Sequence, residues 1–386
     1  MKITGVKSHV LQYPLDKELG YSQGYFDRRT AHIVEVFTDE GILGVGEAYG
    51  GGQVALANKA IVERVIQPMI IGEDPLDREK IWHRVYNSLR DHGQKGMPIQ
   101  ALSGVDIALW DIAGRYLNQP LYKLLGGAFR QSIPVYGYGM MLQRIPELEK
   151  AFASESVRIV GAGYRAIKMK IGLGPRKDIQ LVKAVREAIG PDILLMVDAN
   201  HAYTAREAIP LGRELERLGV FWFEEPVAPE DHQGYRDVCT SLDMAIAGGE
   251  AEFTRWGFRD LIANRCVDIL QPETCGLGGI TEYGKVLALA HSYFVPVVNH
   301  VWGSAVAVAT NLHLLAAMPD LPGAAEPVQP MLEYDTTPNR FREELLVKPL
   351  AIPEQVKQNG GWVSLPPGPG LGIEIDPEFV KRFEVA

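Results

Sequence analysis

The sequence predicts an α/β protein, a barrel of eight βα units preceded by an α+β unit. Three observations lead there. From about Pro134, short apolar runs recur, each followed by a helical stretch, at intervals of roughly 25 to 35 residues, the length of one βα unit. The runs are continuous rather than alternating, as in strands buried on both faces. Nearly every run ends in a polar residue, and in a barrel the C-terminal strand ends open onto one face, where catalytic groups gather. An open doubly wound sheet is the alternative that the pattern alone leaves.

The elements follow in order. Residues 1–125 form the first unit. "KITGVKSHVLQYPL" and "AHIVEVFTDEGILGVGEAYG" read as three strands, with "TDEG" as a hairpin turn. Helical stretches follow at about Gln53–Ile70, Asp77–Arg90 and Ile99–Leu117, and strands followed by helices indicate an α+β domain. "GILGVGEAYGGG" does not lead tightly into a helix of a βαβ unit, so it reads as a strand and loop, not a dinucleotide fingerprint. Residues 126–344 carry the eight runs: "PVYGYG", "YRAIKMKIG", "DILLMVDAN", "VFWFEEP", "MAIAGGE", "VDILQPE", "VPVVNHVWG" and "PMLEYD". The tail, 345–386, contains "PPGPGLGIEID", whose Pro and Gly density excludes a helix there; it is expected to pack back on the first unit.

At 386 residues the chain exceeds what one core usually accommodates. A net charge of -9 argues against nonspecific binding to nucleic acid or an anionic membrane, and an anionic substrate would need concentrated local positive charge. Three cysteines, Cys239, Cys266 and Cys275, with no CxxC, predict reduced thiols rather than a disulfide framework or a zinc site. The N-terminal stretch lacks the apolar core of a signal peptide, and no apolar run reaches membrane-spanning length. The expectation is a soluble cytoplasmic protein that works as a homo-oligomer.

The run ends carry the chemistry. Lys168 and Lys170 end run two and face the same way, because residues i and i+2 share a strand face. Two like charges side by side repel, so something negative is expected opposite. Asp198, Glu224 and Glu250 end the next three runs. Adjacent strands lie about 4.8 Å apart, so these carboxylates converge, and a divalent cation resolves their repulsion. Hard oxygen donors in an open site suit Mg2+, and the absence of Cys or His among the three argues against zinc. A lysine near a metal and a second ammonium has a lowered pKa and can serve as a neutral base; simple ion pairing with the acids is the other reading. Glu225 is expected to face away from Glu224 in a supporting role. Glu273 ends run six, His300 run seven and Glu333 run eight. Glu273 lies one strand from His300, close enough to orient its imidazole and raise its basicity, which makes an acid/base pair opposite the lysines.

This order of motifs resembles the mandelate racemase subgroup of the enolase superfamily over essentially the whole chain. The match includes "ALSGVDIALWDIAGRYLNQPLYKLLGG" at 101–127, the KxK pair, "VDAN", "WFEEP", "GGE", "GLGGIT" and "NHVWG". The resemblance implies a modified (β/α)7β TIM-like barrel with an N-terminal α+β capping domain completed by the C-terminal tail. It implies Mg2+ on Asp198, Glu224 and Glu250. It implies Lys170 as one base, with Lys168 lowering its pKa and contacting the substrate carboxylate, His300 as the opposing base or acid, and Glu333 hydrogen-bonded to that carboxylate. The subgroup usually has Asp where this chain has Glu273; the extra methylene either still reaches His300 or moves the carboxylate off the ring nitrogen.

"FDRR" at 26–29, "HVWG" and "PMLEYDTTPNRFR" at 330–342 are similar to acid-sugar members, which implies a small anionic carbohydrate substrate. Loops near 20–30 and 48–54 are expected to set specificity, Arg28 to contact a distal carboxylate, and Asn200, His201 and Trp302 to line the pocket. The implied reaction removes the α-proton of an acid sugar or its lactone through an enediolate and then eliminates a β-group. A racemase or epimerase using the same Lys/His pair is the alternative. A barrel kept only for binding would show a broken ligand set or a missing base, and here the three acids, Lys170 and His300 are all present.

Overall fold

A computed structural model describes residues 1–321 and 329–385. It begins with a three-stranded antiparallel sheet of β1 (Ile3–Tyr21), β2 (Gly24–Thr38) and β3 (Leu43–Glu47), with "TDEG" at the β2–β3 turn as expected. β1 runs further than its sequence pattern suggested and pairs with β2 as far as Tyr21 opposite Gly24. Residues 20–30, expected to be a loop, are therefore the tip of a hairpin. Helices α1 (Gly52–Ile61) and α2 (Gln67–Ile70), joined by a π-helical turn at Val62–Ile66, precede α3 (Arg78–Leu89) and α4 (Met97–Tyr116).

Strand parity divides the faces of this sheet. Val34 and Val36 pack with Ile81, Trp82 and Leu102 of the helices, whereas Ala31, Ile33 and Val45 join the main core. A Cβ at Gly46 would lie 2.0 Å from the Gly104 carbonyl oxygen of α4, and one at Gly44 would lie 2.2 Å from that of Ala108. These glycines of the "GILGVGEAYGGG" stretch permit close approach of strand and helix.

After α5 (Leu121–Leu124) the βα repeat follows. It comprises β4 (Ser132–Gly139), α6 (Leu148–Gly161), β5 (Ala166–Lys170), α7 (Pro175–Ile189), β6 (Leu194–Asp198), α8 (Ala205–Arg217), β7 (Val220–Glu224) and α9 (His232–Ser241). It continues with β8 (Ala245–Gly248), α10 (Thr254–Ala263), β9 (Ile269–Leu270), α11 (Gly279–Ser292), α12 (Ala305–Ala317) and β10 (Leu332–Asp335). The parallel order is β10-β4-β5-β6-β7-β8-β9.

Run seven is not a strand. It meets its neighbour through two single bridges, Leu270–Val297 and Glu273–His300. The expected closed barrel is thus not closed by ladder hydrogen bonds among the described residues. Pro296 lacks a donor, and side chains rather than a ladder hold the backbone beyond His300. One buried apolar cluster nevertheless contains a residue from each of the eight runs: Tyr136, Ala166, Met196, Trp222, Ala247, Ile269, Val298 and Met331.

After β10 comes α13 (Arg340–Glu343), and the tail contains α14 (Ile352–Gln358), β11 (Trp362–Ser364) and α15 (Pro377–Phe383), with no helix in "PPGPGLGIEID". Gly370 bonds to Gln119 and Leu121, and Val385 N donates to the Val10 carbonyl. The tail also adds β11 antiparallel to β4, which makes the sheet mixed. Among the described residues no helix is long and apolar enough to cross a membrane.

Candidate active site

The parallel register sets Lys170 beside Asp198, and Asp198 beside Glu224. Glu250 lies past the end of β8, after Gly249 at φ 121°. One oxygen from each of Asp198, Glu224 and Glu250 lies within 4.8 Å of the others. Lys170 Nζ is 2.5 Å from Asp198 Oδ2. Lys168 Nζ is 2.5 Å from Glu224 Oε1, 2.6 Å from Glu333 Oε1 and 3.9 Å from Asp198 Oδ2. Trp222 Nε1 and Gln271 Nε2 donate to Glu224 Oε2 at 3.0 and 2.7 Å.

Burial opposes ionisation of Asp198, but Lys170 and Lys168 outweigh it and bring the carboxyl down to about 2. Burial pushes Glu224 up to about 8 against the pull of Lys168. Burial also works against both ammonium groups, yet Glu224 and Glu333 at Lys168, and Asp198 at Lys170, raise both well above the ordinary lysine value. Each ammonium touches a carboxylate, and with no cation on the acids these contacts outweigh the repulsion between the lysines; the lowered value expected from the sequence belongs to a lysine beside a bound cation. The donor set is all carboxylate, and Glu250 Oε2 is buried without a hydrogen-bond donor. Both features suit a hard divalent cation.

The opposite wall is His300. Its Nδ1 is 2.7 Å from Glu273 Oε2, so the extra methylene of Glu273 does reach the ring. Cys275 N donates to the other oxygen of Glu273 at 2.8 Å, fixing that carboxylate. His300 Nε2 stands 3.5 Å from Glu250 Oε2. Burial would lower the imidazole, but Glu250, Glu333 and Glu273 together raise it to about 10.

A cavity of about 510 Å³ joins the two walls, lined by Lys170, Asn200, Glu250, His300 and Trp302 on one side and by Tyr25, Phe26, Arg28, Arg29 and Gly50–Gly52 of the first unit on the other. Ser22 Oγ and Gln23 Nε2 donate to the Asn200 carbonyl at 2.7 and 2.8 Å, docking the hairpin tip. Asn200, His201 and Glu225 have φ of 41°, 64° and 44°, a left-handed conformation often found at functional sites.

β7 ends at Glu224, and Glu225, which does not line the cavity, has its Oε2 3.3 Å from Asn200 Nδ2 and 3.1 Å from His201 Nδ1. Several expected residues are placed differently. His201 is not among the residues lining the cavity. Lys168 and Glu333 also do not line it; they are buried and paired with each other. Arg28 is at the cavity wall but 54% exposed, with its Nε 3.1 Å from Asp27 Oδ1.

Sequence reasoning missed Arg29. It is buried, 2.8 Å from Asp335 Oδ2, and its guanidinium lies 4.9 Å from the Trp302 ring centroid. Strand parity could have found it, since Arg29 shares its side of β2 with Ala31 and Ile33 of the main core.

Comparison with known proteins bears on this arrangement. Residues 14–126 match the mandelate racemase / muconate lactonizing enzyme N-terminal domain, and residues 151–379 match the enolase C-terminal domain-like family. The chain is 42% identical over 385 residues to D-galactarolactone cycloisomerase of Agrobacterium fabrum, covering 100% of this chain and 99% of that protein. The crystal structure of 3,6-anhydro-D-galactonate cycloisomerase from Zobellia galactanivorans is similar with a TM-score of 0.88 at 34% identity, covering 100% of both chains. L-talarate/galactarate dehydratase from Salmonella typhimurium LT2, liganded with Mg and L-lyxarohydroxamate, is similar with a TM-score of 0.86 at 28% identity, covering 100% of this chain and 93% of that one. The chain therefore belongs to the enolase superfamily, in its mandelate racemase branch, and is an enzyme of the lyase or isomerase kind.

Proposed function

We propose that this enzyme removes the α-proton of an acid sugar or its lactone in a Mg2+-dependent reaction, and that β-elimination follows. One observation carries the reading: Lys170 and His300 line the same cavity, each beside a member of the carboxylate cluster, at 2.5 Å from Asp198 and 3.5 Å from Glu250. The names of the similar enzymes, two cycloisomerases and a dehydratase of acid sugars, support the substrate class.

Asp198, Glu224 and Glu250 would hold the ion, which when bound supplies positive charge against the oxyanions that develop as the proton leaves. With Asp198 in that role its hold on the Lys170 ammonium, 2.5 Å away, would weaken, and Lys170 would serve as the amine base at the α-carbon. His300, held at Nδ1 by Glu273 at 2.7 Å, serves as the acid that protonates the departing β-oxygen. Lys168 keeps positive charge beside Glu224 and Glu333. The hairpin tip and Gly50–Gly52 exclude water and select the sugar.

In this reading residues 1–125 cap the site, 126–344 form the modified barrel and 345–386 tie the two together. The eight-run apolar cluster and the tail's bonds to Gln119, Leu121 and Val10 support that division.

The test is a panel of acid sugars and lactones incubated with Mg2+ in D2O and followed by NMR. A keto-deoxy product that disappears on adding EDTA is expected. A deuterated epimer with no elimination would assign the racemase reading, and turnover that survives EDTA would remove the metal from the reaction.

A further inference from the structure

The backbone from His300 to Ser304 carries three cavity residues, His300, Trp302 and Gly303, yet its bridge to the β9 side ends at His300. Its polar groups are instead satisfied by three buried charged side chains from separate parts of the chain. Glu333 Oε2 accepts from Val301 N at 2.8 Å. Arg342 donates from Nη2 to the Val301 carbonyl at 2.8 Å and from Nε to the Gly303 carbonyl at 2.9 Å. Glu47, at the end of β3, accepts from Ser304 N at 2.9 and 3.1 Å, from Ser304 Oγ at 2.7 Å and from Ala307 N at 3.0 Å. Glu47 thus caps the N-terminus of α12, where a carboxylate is stabilised by the helix dipole.

The fit is close. A Cβ on Gly303 would lie 2.6 Å from Glu47 Oε1, so only glycine at 303 allows the carboxylate to reach the helix end. Arg342 is 4% exposed and its guanidinium is 5.1 Å from the Tyr334 ring centroid, so it cannot swing away without leaving buried carbonyls unpaired.

We infer that Glu47 and Arg342 are positioning residues: together they clamp the His300–Ser304 backbone and so set where the imidazole stands opposite Lys170. Neither lines the cavity. Glu47 makes this an inter-unit device, because it reaches from the N-terminal sheet into the loop before α12. The inference rests on the role proposed for His300.

Its test uses the full chain with Arg342→Met, Arg342→Lys and Glu47→Gln. Amide hydrogen exchange over residues 299–307 is compared with exchange over residues 166–172, and kcat and KM are measured on the acid sugar that the panel identifies. Arg342→Met and Glu47→Gln are expected to speed exchange at 299–307 at least about tenfold and leave 166–172 unchanged. They are expected to lower kcat by up to about 100-fold with KM nearly constant, since a displaced acid/base group costs rate rather than binding. Arg342→Lys, which keeps a donor, is expected to recover part of kcat.

Equal loosening of both segments, or exchange at 299–307 like wild type in both Arg342→Met and Glu47→Gln, would overturn the clamp. If His300→Asn proves fully active, the proposed function fails, while the exchange comparison still decides whether the clamp exists.

Discussion

Lys170, Asp198 and Glu224 stand in register on a parallel ladder, whereas His300 and Trp302 stand on backbone held by Glu333, Arg342 and Glu47. On the ladder side, main-chain hydrogen bonds place each functional Cα, so a functional side chain can be removed without moving its neighbours. On the clamped side, one main-chain bridge reaches His300 and side chains hold the backbone beyond it, so function depends on residues that never meet the cavity. One wall of the site is rigid by secondary structure and the other by buried polar contacts, and they should fail differently.

The largest expected effect is on the ladder side. Lys170→Ala should lower turnover by about 1,000-fold or more while leaving thermal stability and exchange over 166–172 near wild type. Loss of α-proton exchange into D2O checks the assignment; exchange that persists would place the abstraction on the His300 face. His300→Asn should follow, at about 100- to 1,000-fold in kcat. Glu273→Gln removes a charged partner of the imidazole and should cost about ten- to a hundredfold in kcat, with a smaller change in KM. If Glu273→Gln is as harmful as His300→Asn, the pair acts as a unit, and the clamp matters less than the dyad.

The smallest effect concerns pH. Asp106 of α4 accepts from Thr281 N at 2.8 Å near the start of α11, which follows the Glu273 turn. Burial pushes its carboxyl up to about 7. Since the folded value lies above the ordinary aspartate range, its contribution to stability is complete at low pH and is lost as pH rises through about 7. The melting temperature of wild type relative to Asp106→Asn should therefore fall between about pH 5 and about pH 8, and parallel curves would refute this.

Much of the ladder side was legible because a buried parallel strand has a simple signature. Continuous apolar runs ending in Lys170, Asp198, Glu224 and Glu250 needed only strand periodicity to bring the acids together, and the structure places their oxygens within 4.8 Å of one another. The clamped side was half legible. His300 and Glu273 were expected as a pair and lie 2.7 Å apart, but Glu47 sits in a Gly-rich stretch and Arg342 beyond the eighth run, with nothing local to mark them. Arg28 was singled out over Arg29 because two adjacent arginines look alike until the strand's facing side is assigned. The balance of charge around the lysines was not legible for a related reason: sequence shows which charges are neighbours along the chain, while the balance depends on contacts as short as 2.5 Å.

What the sequence determined by itself was the repeat, its strand ends and the superfamily signature, because backbone periodicity and residue type are local properties. Only the tertiary structure decided that run seven is clamped rather than laddered, that Lys168 and Glu333 satisfy each other, and that His201 turns to Glu225. These outcomes depend on which distant side chain reaches a buried polar group first, and the cost of leaving such a group unpaired is set by three-dimensional packing alone.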